Sequence, residues 1–161
     1  MSAEEYNISV DKYSDNIYRF ILKNINDEDK AKDIVQDTFE KLWIKHKSVT
    51  FSKVKSYLFT AAYHTMIDNI RKNKRLTGFE SENISEFSYE SEYSDVQEIL
   101  HQLVNKLPEM QRSVLLLRDY EGYSYQEIEE ITGLNESQVK VYIYRARVFL
   151  KSYIKNIETI I

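Results

Sequence analysis

"SYQEIEEITGLNESQVKVYIYRARVFL", residues Ser124 to Leu150, reads as two helices pinched around Gly133. Ser124 with Glu127, and Asn135 with Gln138, have capping-box spacing: a side chain at the helix start accepts from a backbone N–H three residues on, and that residue's side chain answers it. On a 100° wheel Val139, Ile143, Ala146 and Leu150 form one narrow stripe, expected to pack on Ile128, Ile131 and Leu134. Ser137, Val141, Tyr144 and Val148 then point the opposite way, with Lys140 and Arg145 on the flanks. A short helix, a three-residue turn containing Gly and a second helix is helix-turn-helix spacing. In that arrangement the second helix enters the DNA major groove with its N-terminal half at the base edges. Apolar side chains there meet thymine methyls, and Lys or Arg reaches guanine or phosphate. The pattern alone also permits a plain helical hairpin whose exposed Tyr and Val pack on another domain.

The rest of the chain fits helices around this unit. With 161 residues there is room for one ordinary domain or two small ones, and three Gly with one Pro are too few for a turn-rich β fold. There is no Cys, which excludes disulfides and thiolate zinc sites and fits a reducing compartment. Met1 to Val10 lacks the basic-then-apolar pattern of a secretory signal. No stretch approaches the ~20 apolar residues that span a bilayer. The expectation is a cytoplasmic protein with no membrane insertion. Net charge is −4, but it is unevenly spread. Residues 1–75 carry 14 basic and 11 acidic side chains, 76–95 carry 6 acids and no base, and 96–161 carry 8 bases and 9 acids. Basic clusters therefore survive on both sides of an acidic middle, and the acidic total does not exclude a nucleic-acid partner.

That middle, "LTGFESENISEFSYESEYSD" (76–95), is rich in Ser and Glu without a sustained helical stripe. The organisation expected is all-α: a helical domain over 1–75, an acidic linker over 76–95, and a helix-turn-helix domain over 96–161. In the first domain one helix is expected over Ser9–Ile25 and a second over Glu28–His46. The second carries an apolar stripe of Ile34, Val35, Phe39, Leu42 and Trp43. Asp33, Gln36, Asp37, Glu40 and Lys41 face away from it. A third is expected over Val54–Lys74, ending in the basic run Arg71–Arg75. In the second domain Ser94 with Gln97 predicts a helix start, Pro108 the first turn of the next helix, Gly122 its end, and about Ile157 the end of the last. His46, His64 and His101 are scattered, with no HExxH, no paired ligand spacing and no Gly-rich phosphate loop. No catalytic residue, metal or cofactor is expected.

Two stretches carry a resemblance. "LPEMQRSVLLLRDYEGYSYQEIEEITGLNESQVKVYIYRARVFL" resembles region four of bacterial sigma factors. "DEDKAKDIVQDTFEKLWIKH" followed by "VKSYLFTAAYHTMIDNIRKNKR" resembles their region two. With no sizeable domain between them, the order is similar to the extracytoplasmic-function group. The resemblance implies a non-catalytic specificity subunit that binds the clamp and flap of core RNA polymerase and reads and opens promoter DNA, double-stranded and melted. It places polymerase binding on Asp33, Gln36, Asp37 and Glu40. It places the minus-ten element on Phe51, Tyr57, Tyr63, His64, Arg71 and Lys72, and the minus-thirty-five element on Ser137, Gln138, Lys140, Val141, Tyr144 and Arg145. Tyr57 stands where the family usually has Trp, His64 where it usually has Asn, and Tyr142 where it often has Arg. The first two bear on base preference at the minus-ten element, the third on one phosphate or base contact.

The linker, in that family, threads the polymerase's RNA-exit path. Glu80, Glu82, Glu86, Glu90, Glu92 and Asp95 are expected to occupy it until nascent RNA displaces them, while composition alone equally permits a solvated tether. An anti-sigma factor, where one holds such a subunit inactive, is expected on the Asp33–Glu40 or the Val141–Tyr144 face. Without the resemblance, the runner-up is a stand-alone helix-turn-helix regulator that binds its operator unaided.

Overall fold

The computed structural model describes the backbone of residues 1–77 and 96–160 and the side chains of 1–75 and 97–155. Among the described residues all regular structure is helical. Helix α1 (Ala3–Ile25) begins with a capping box: Glu5 N–H donates to Ser2 Oγ at 3.1 Å and Ser2 N–H to Glu5 Oε1 at 3.0 Å. The box starts the helix at Ala3, six residues before the expected start at Ser9, so α1 gains nearly two turns. Asn26 ends it in the left-handed region (φ 55°), which Asn tolerates better than most residues. Asp27 then caps α2 (Glu28–Lys45), accepting from Lys30 N–H at 3.1 Å. Two single turns, His46–Ser48 and Phe51–Lys53, occupy the expected connection and lead into α3 (Val54–Thr77).

These three helices pack pairwise. Ile17, Phe20 and Ile21 of α1, Ile34 and Leu42 of α2, and Leu58, Phe59 and Met66 of α3 are fully buried. Phe20 meets Phe59 edge-on at 5.5 Å between centroids, a favoured aromatic geometry. Lys41 Nζ crosses from α2 to donate to Thr65 Oγ1 at 2.7 Å. The α2 stripe has one exception. Trp43, expected inside, is 46% exposed, stacked on His46 at 4.3 Å with Tyr6 edge-on at 4.9 Å. It lies one residue past the centre of the buried face, and α1 offers it only the rim.

Helix α4 (Val96–Asn105) and α5 (Glu109–Leu115) begin the C-terminal half. Ser94, the expected cap of α4, and the acids from Glu80 to Asp95 lie outside the described residues. Pro108 sits just before α5 rather than in its first turn, extended at φ −53°, ψ 147°. Its carbonyl accepts from Arg112 N–H at 2.9 Å. After Leu115 the helix widens into a π-type turn over Leu116–Tyr120, with Glu121 N–H donating to Leu116 O at 3.1 Å. Gly122, at φ 75°, then reverses the chain in a conformation that only glycine adopts without strain. Helix α6 (Tyr125–Thr132) and α7 (Glu136–Ile160) complete the half.

The two halves touch. α6 lies against α3, and α4 and α5 lie against α1. One continuous apolar core runs from Ile17 and Phe59 through Leu107 and Val114 to Ile128 and Ile143. No described helix is long and apolar enough to cross a membrane.

Candidate nucleic-acid interface

The helix-turn-helix forms as its caps dictate. Glu127 N–H donates to Ser124 Oγ, and Ser124 N–H to Glu127 Oε1, both at 3.1 Å. Gly133 closes α6 at φ 78°, its N–H donating to Glu129 O at 2.8 Å. Gln138 N–H donates to Asn135 Oδ1 at 2.8 Å and Asn135 N–H to Gln138 Oε1 at 3.1 Å. Gln138 is exposed, with its carbonyl oxygen engaged at the helix start. Val139, Ile143 and Ala146 are buried against Ile128 and Ile131. Ser137 is exposed, and Val141, Tyr144 and Val148 show 42%, 69% and 48% of their surface. This apolar ridge is flanked by charge. Lys140 Nζ lies 2.8 Å from Glu136, both solvent-exposed, and the hydrogen bond lowers the Glu136 pKa and raises that of Lys140. Arg145 is exposed beside Tyr144, and Tyr142 is half-buried.

Three residues that sequence reasoning passed over join this surface. Arg147 donates to Asp119 Oδ1 at 2.7 Å, which raises its pKa. Arg118 donates to Tyr123 O at 2.9 Å and lays its guanidinium 4.6 Å from the Tyr125 ring, with Lys140 Nζ 5.8 Å from the same ring. Tyr125 is thus the hub of a basic cluster at the mouth of the helix-turn-helix. The signal was present as Arg118, Lys140 and Arg147, but they are dispersed in sequence and only the fold gathers them.

In the N-terminal half, Asp33, Gln36, Asp37 and Glu40 are all exposed on one face of α2, with Gln36 Nε2 3.5 Å from Glu40 Oε1. Phe51 is 39% exposed on the single turn before α3. Tyr57 is half-buried, and burial raises its hydroxyl pKa. His64 is exposed, and its ring sits edge-on to Tyr63 at 5.3 Å. Arg71 and Lys72 are exposed one to two turns from the end of α3. Tyr63 differs from the rest. It is 3% exposed, its hydroxyl 3.4 Å from Met110 Sδ of α5, and burial followed by the nearby Glu109 pushes its pKa up to about 12. In this arrangement no nucleic acid reaches it. No group of three or more His, Asp or Glu able to hold a metal occurs among the described residues.

An exposed apolar ridge with basic flanks on α7, and exposed aromatic and basic side chains on and just before α3, are the surface chemistry of a DNA-reading protein. Residues 10–76 match the sigma-70 region 2 family model and residues 97–150 the sigma-70 region 4 model. The ECF RNA polymerase sigma factor SigM of Bacillus subtilis is 30% identical over 145 residues, covering 87% of this chain and 89% of SigM. The sigma factor SigV of the same organism is 31% identical over 137 residues, covering 83% and 81%. Among solved structures, the sigma factor RpoE from Bartonella quintana, crystallised with the anti-sigma factor NepR, matches with a TM-score of 0.79 at 26% identity over 95% of this chain and 98% of that one. The chain belongs to the extracytoplasmic-function sigma factors, which direct promoter-specific initiation of transcription.

Proposed function

We propose that this chain joins core RNA polymerase in the cytoplasm through the α2 face formed by Asp33, Gln36, Asp37 and Glu40. Residues 1–75 and 96–161 act as its two working domains, with the acidic 76–95 between them. Phe51 and Tyr57 take unstacked bases of the minus-ten element, His64 and Tyr63 lie at that site once it is uncovered, and Arg71 and Lys72 hold phosphates. Ser137, Gln138, Lys140, Val141, Tyr144 and Arg145 read the minus-thirty-five element, with Arg118 and Arg147 beside them for the backbone. The observation that carries the reading is the two-sided α7: Val139, Ile143 and Ala146 fully buried, Val141, Tyr144 and Val148 left open on the opposite face. An apolar ridge between cationic flanks suits thymine methyls between phosphates.

Energetics require the polymerase. Opening about a dozen base pairs at ~1.4 kcal/mol per step costs ~15 kcal/mol. A stacked aromatic returns only ~1–3 kcal/mol per base. Three aromatics therefore cannot melt DNA alone, and the chain selects the site while the larger enzyme stabilises the open form and performs the synthesis. By analogy with RpoE, an anti-sigma partner is proposed to cover the α2 or the α7 face. The test is run-off transcription on genomic fragments with core polymerase plus this chain. Discrete start sites that depend on the chain are expected. Tight binding of an operator without polymerase, and no defined starts with it, would favour the stand-alone regulator.

A further inference from the structure

We propose that His46 is a positioning residue for the minus-ten element. By capping the last turn of α2 and stacking on Trp43, it fixes the path of the 46–53 connection and so sets where Phe51 meets an unstacked base. This rests on the assignment of Phe51 to base capture.

The connection has little else to hold it. From Trp43 to Lys53 no side chain is buried, and Val49 reaches the core only in part. The chain returns to the interior at Val54, which is 1% exposed. A segment outside the core keeps its shape through local bonds. Those bonds gather at the C-terminal end of α2, where the last carbonyls have no intrahelical partner. The Trp43 carbonyl accepts twice from His46, once from its backbone N–H and once from its ring, with Nδ1 at 2.6 Å. A carbonyl can only accept, so Nδ1 carries the proton. Ser48 Oγ donates to Lys45 O at 2.8 Å, and Val49 N–H to His46 O at 3.3 Å. A second turn follows, in which Lys53 N–H donates to Thr50 O at 2.9 Å and Phe51 stands 39% exposed.

The ring of His46 does a second job. It lies on the indole of Trp43, with centroids 4.3 Å apart and planes 7° from parallel. Trp43 is also met edge-on by Tyr6 at 4.9 Å, and the Tyr6 hydroxyl donates to Phe39 O at 3.0 Å. A line of ring contacts therefore runs from α1 through Trp43 to the first residue of the connection. Trp43 stays 46% exposed, so it adds little to the core. Its contacts serve the end of α2 instead.

Phe51 lies five residues beyond His46. Removing the imidazole should leave the three-helix core intact and loosen the connection. A loosened connection has to be ordered again when a base is bound. The loss then appears as weaker affinity for unstacked DNA rather than as a lower melting temperature.

Two measurements test this. Trp43 is the only Trp of the chain, so its quenching by acrylamide reports the stack without promoter or polymerase. His46→Ala should raise the quenching constant roughly 1.5-fold by uncovering one face of the indole, and His46→Phe, which keeps a flat ring there, should not. Holoenzyme at saturating core polymerase is then titrated with a single-stranded oligonucleotide spanning the minus-ten element of a start site that run-off transcription defines. Affinity should fall about tenfold with His46→Ala and about threefold with His46→Phe, which loses only the bond to Trp43 O. Binding to duplex carrying the minus-thirty-five element should not change, and circular dichroism should show wild-type helix content and melting. Unchanged quenching with His46→Ala, wild-type affinity of His46→Ala for the single strand, or an equal loss on the minus-thirty-five duplex would each overturn the proposal. Phe51→Ala should weaken single-strand binding at least as much as His46→Ala. If it has no effect, the base-capture assignment and this inference fail together, while chain-dependent start sites report the sigma-factor assignment separately.

Discussion

Ile143 and Tyr144 are adjacent in sequence and should respond to truncation in opposite ways. Ile143 is 1% exposed on the core face of α7, and Tyr144 is 69% exposed on its outer ridge. Ile143→Ala leaves a cavity where the surroundings relax only partly, costing ~2–5 kcal/mol of stability. At ~2–4 °C per kcal/mol for a chain of this size, the melting temperature should fall by about 5–15 °C. Tyr144→Ala deletes a side chain that contributes little to folding, so its melting temperature should stay within ~2 °C. Its proposed contribution is to DNA binding. A tyrosine presents on the order of 200 Å², of which ~140 Å² is open here. If a groove wall covers half of that, at ~25 cal/mol per Å², the loss is ~1.5–2 kcal/mol. Holoenzyme carrying Tyr144→Ala should therefore bind its promoter about 10- to 30-fold more weakly, with core affinity unchanged. The assays are thermal melting, core-polymerase binding, and promoter titration with intact and scrambled minus-thirty-five elements. Equal promoter affinity for wild type and Tyr144→Ala would refute the assignment of this ridge to DNA. So would a loss that persists when the minus-thirty-five element is scrambled.

Asp37→Lys on the exposed α2 face should weaken association with core polymerase at least tenfold while leaving thermal stability unchanged, measured by co-sedimentation and melting. Ser124→Ala removes one half of a formed capping box and should cost ~1 kcal/mol in denaturant unfolding. Gly133→Ala should cost ~1–2 kcal/mol from backbone conformation alone, because an added Cβ meets nothing within 4 Å at φ +78°. Stability should also fall in alkali. The Tyr63 hydroxyl, raised to about 12 in the folded chain against 10.0 unfolded, contributes stability that is fully present below pH ~10 and is lost as pH rises toward ~12. Burial pushes Tyr123 the same way. Denaturant midpoints from pH 9 to 11 should decline, and Tyr63→Phe should flatten part of that slope.

Helix starts were legible in the sequence because capping is local: Ser124 with Glu127 and Asn135 with Gln138 form the bonds that their spacing predicts. The same rule applies to Ser2 with Glu5, whose box starts α1 ahead of the apolar stripe that begins near Ser9. The two faces of α7 were legible because one stripe of Val139, Ile143 and Ala146 leaves no other register for Val141 and Tyr144. Periodicity states which face is covered but not by what, and two residues mark that limit. Trp43 belongs by spacing to the buried stripe of α2, yet no element extends far enough to cover it, and it closes on His46 instead. Tyr63 lies beside the buried stripe of α3, where spacing fits a core position as well as one that meets a base, and Met110 from the other half covers it. Neither outcome is written within one helix. The Asn24–Ser113 bond is the extreme case, because a buried Asn and a buried Ser in separate amphipathic helices carry no mutual signature at a separation of 89 residues. Each reads as a slightly polar core position until the halves meet, and then each explains the other. A surface that reads as a DNA site in one half of the chain must therefore be judged against the other half, since the same apolar and aromatic side chains that suit bases also suit a helix.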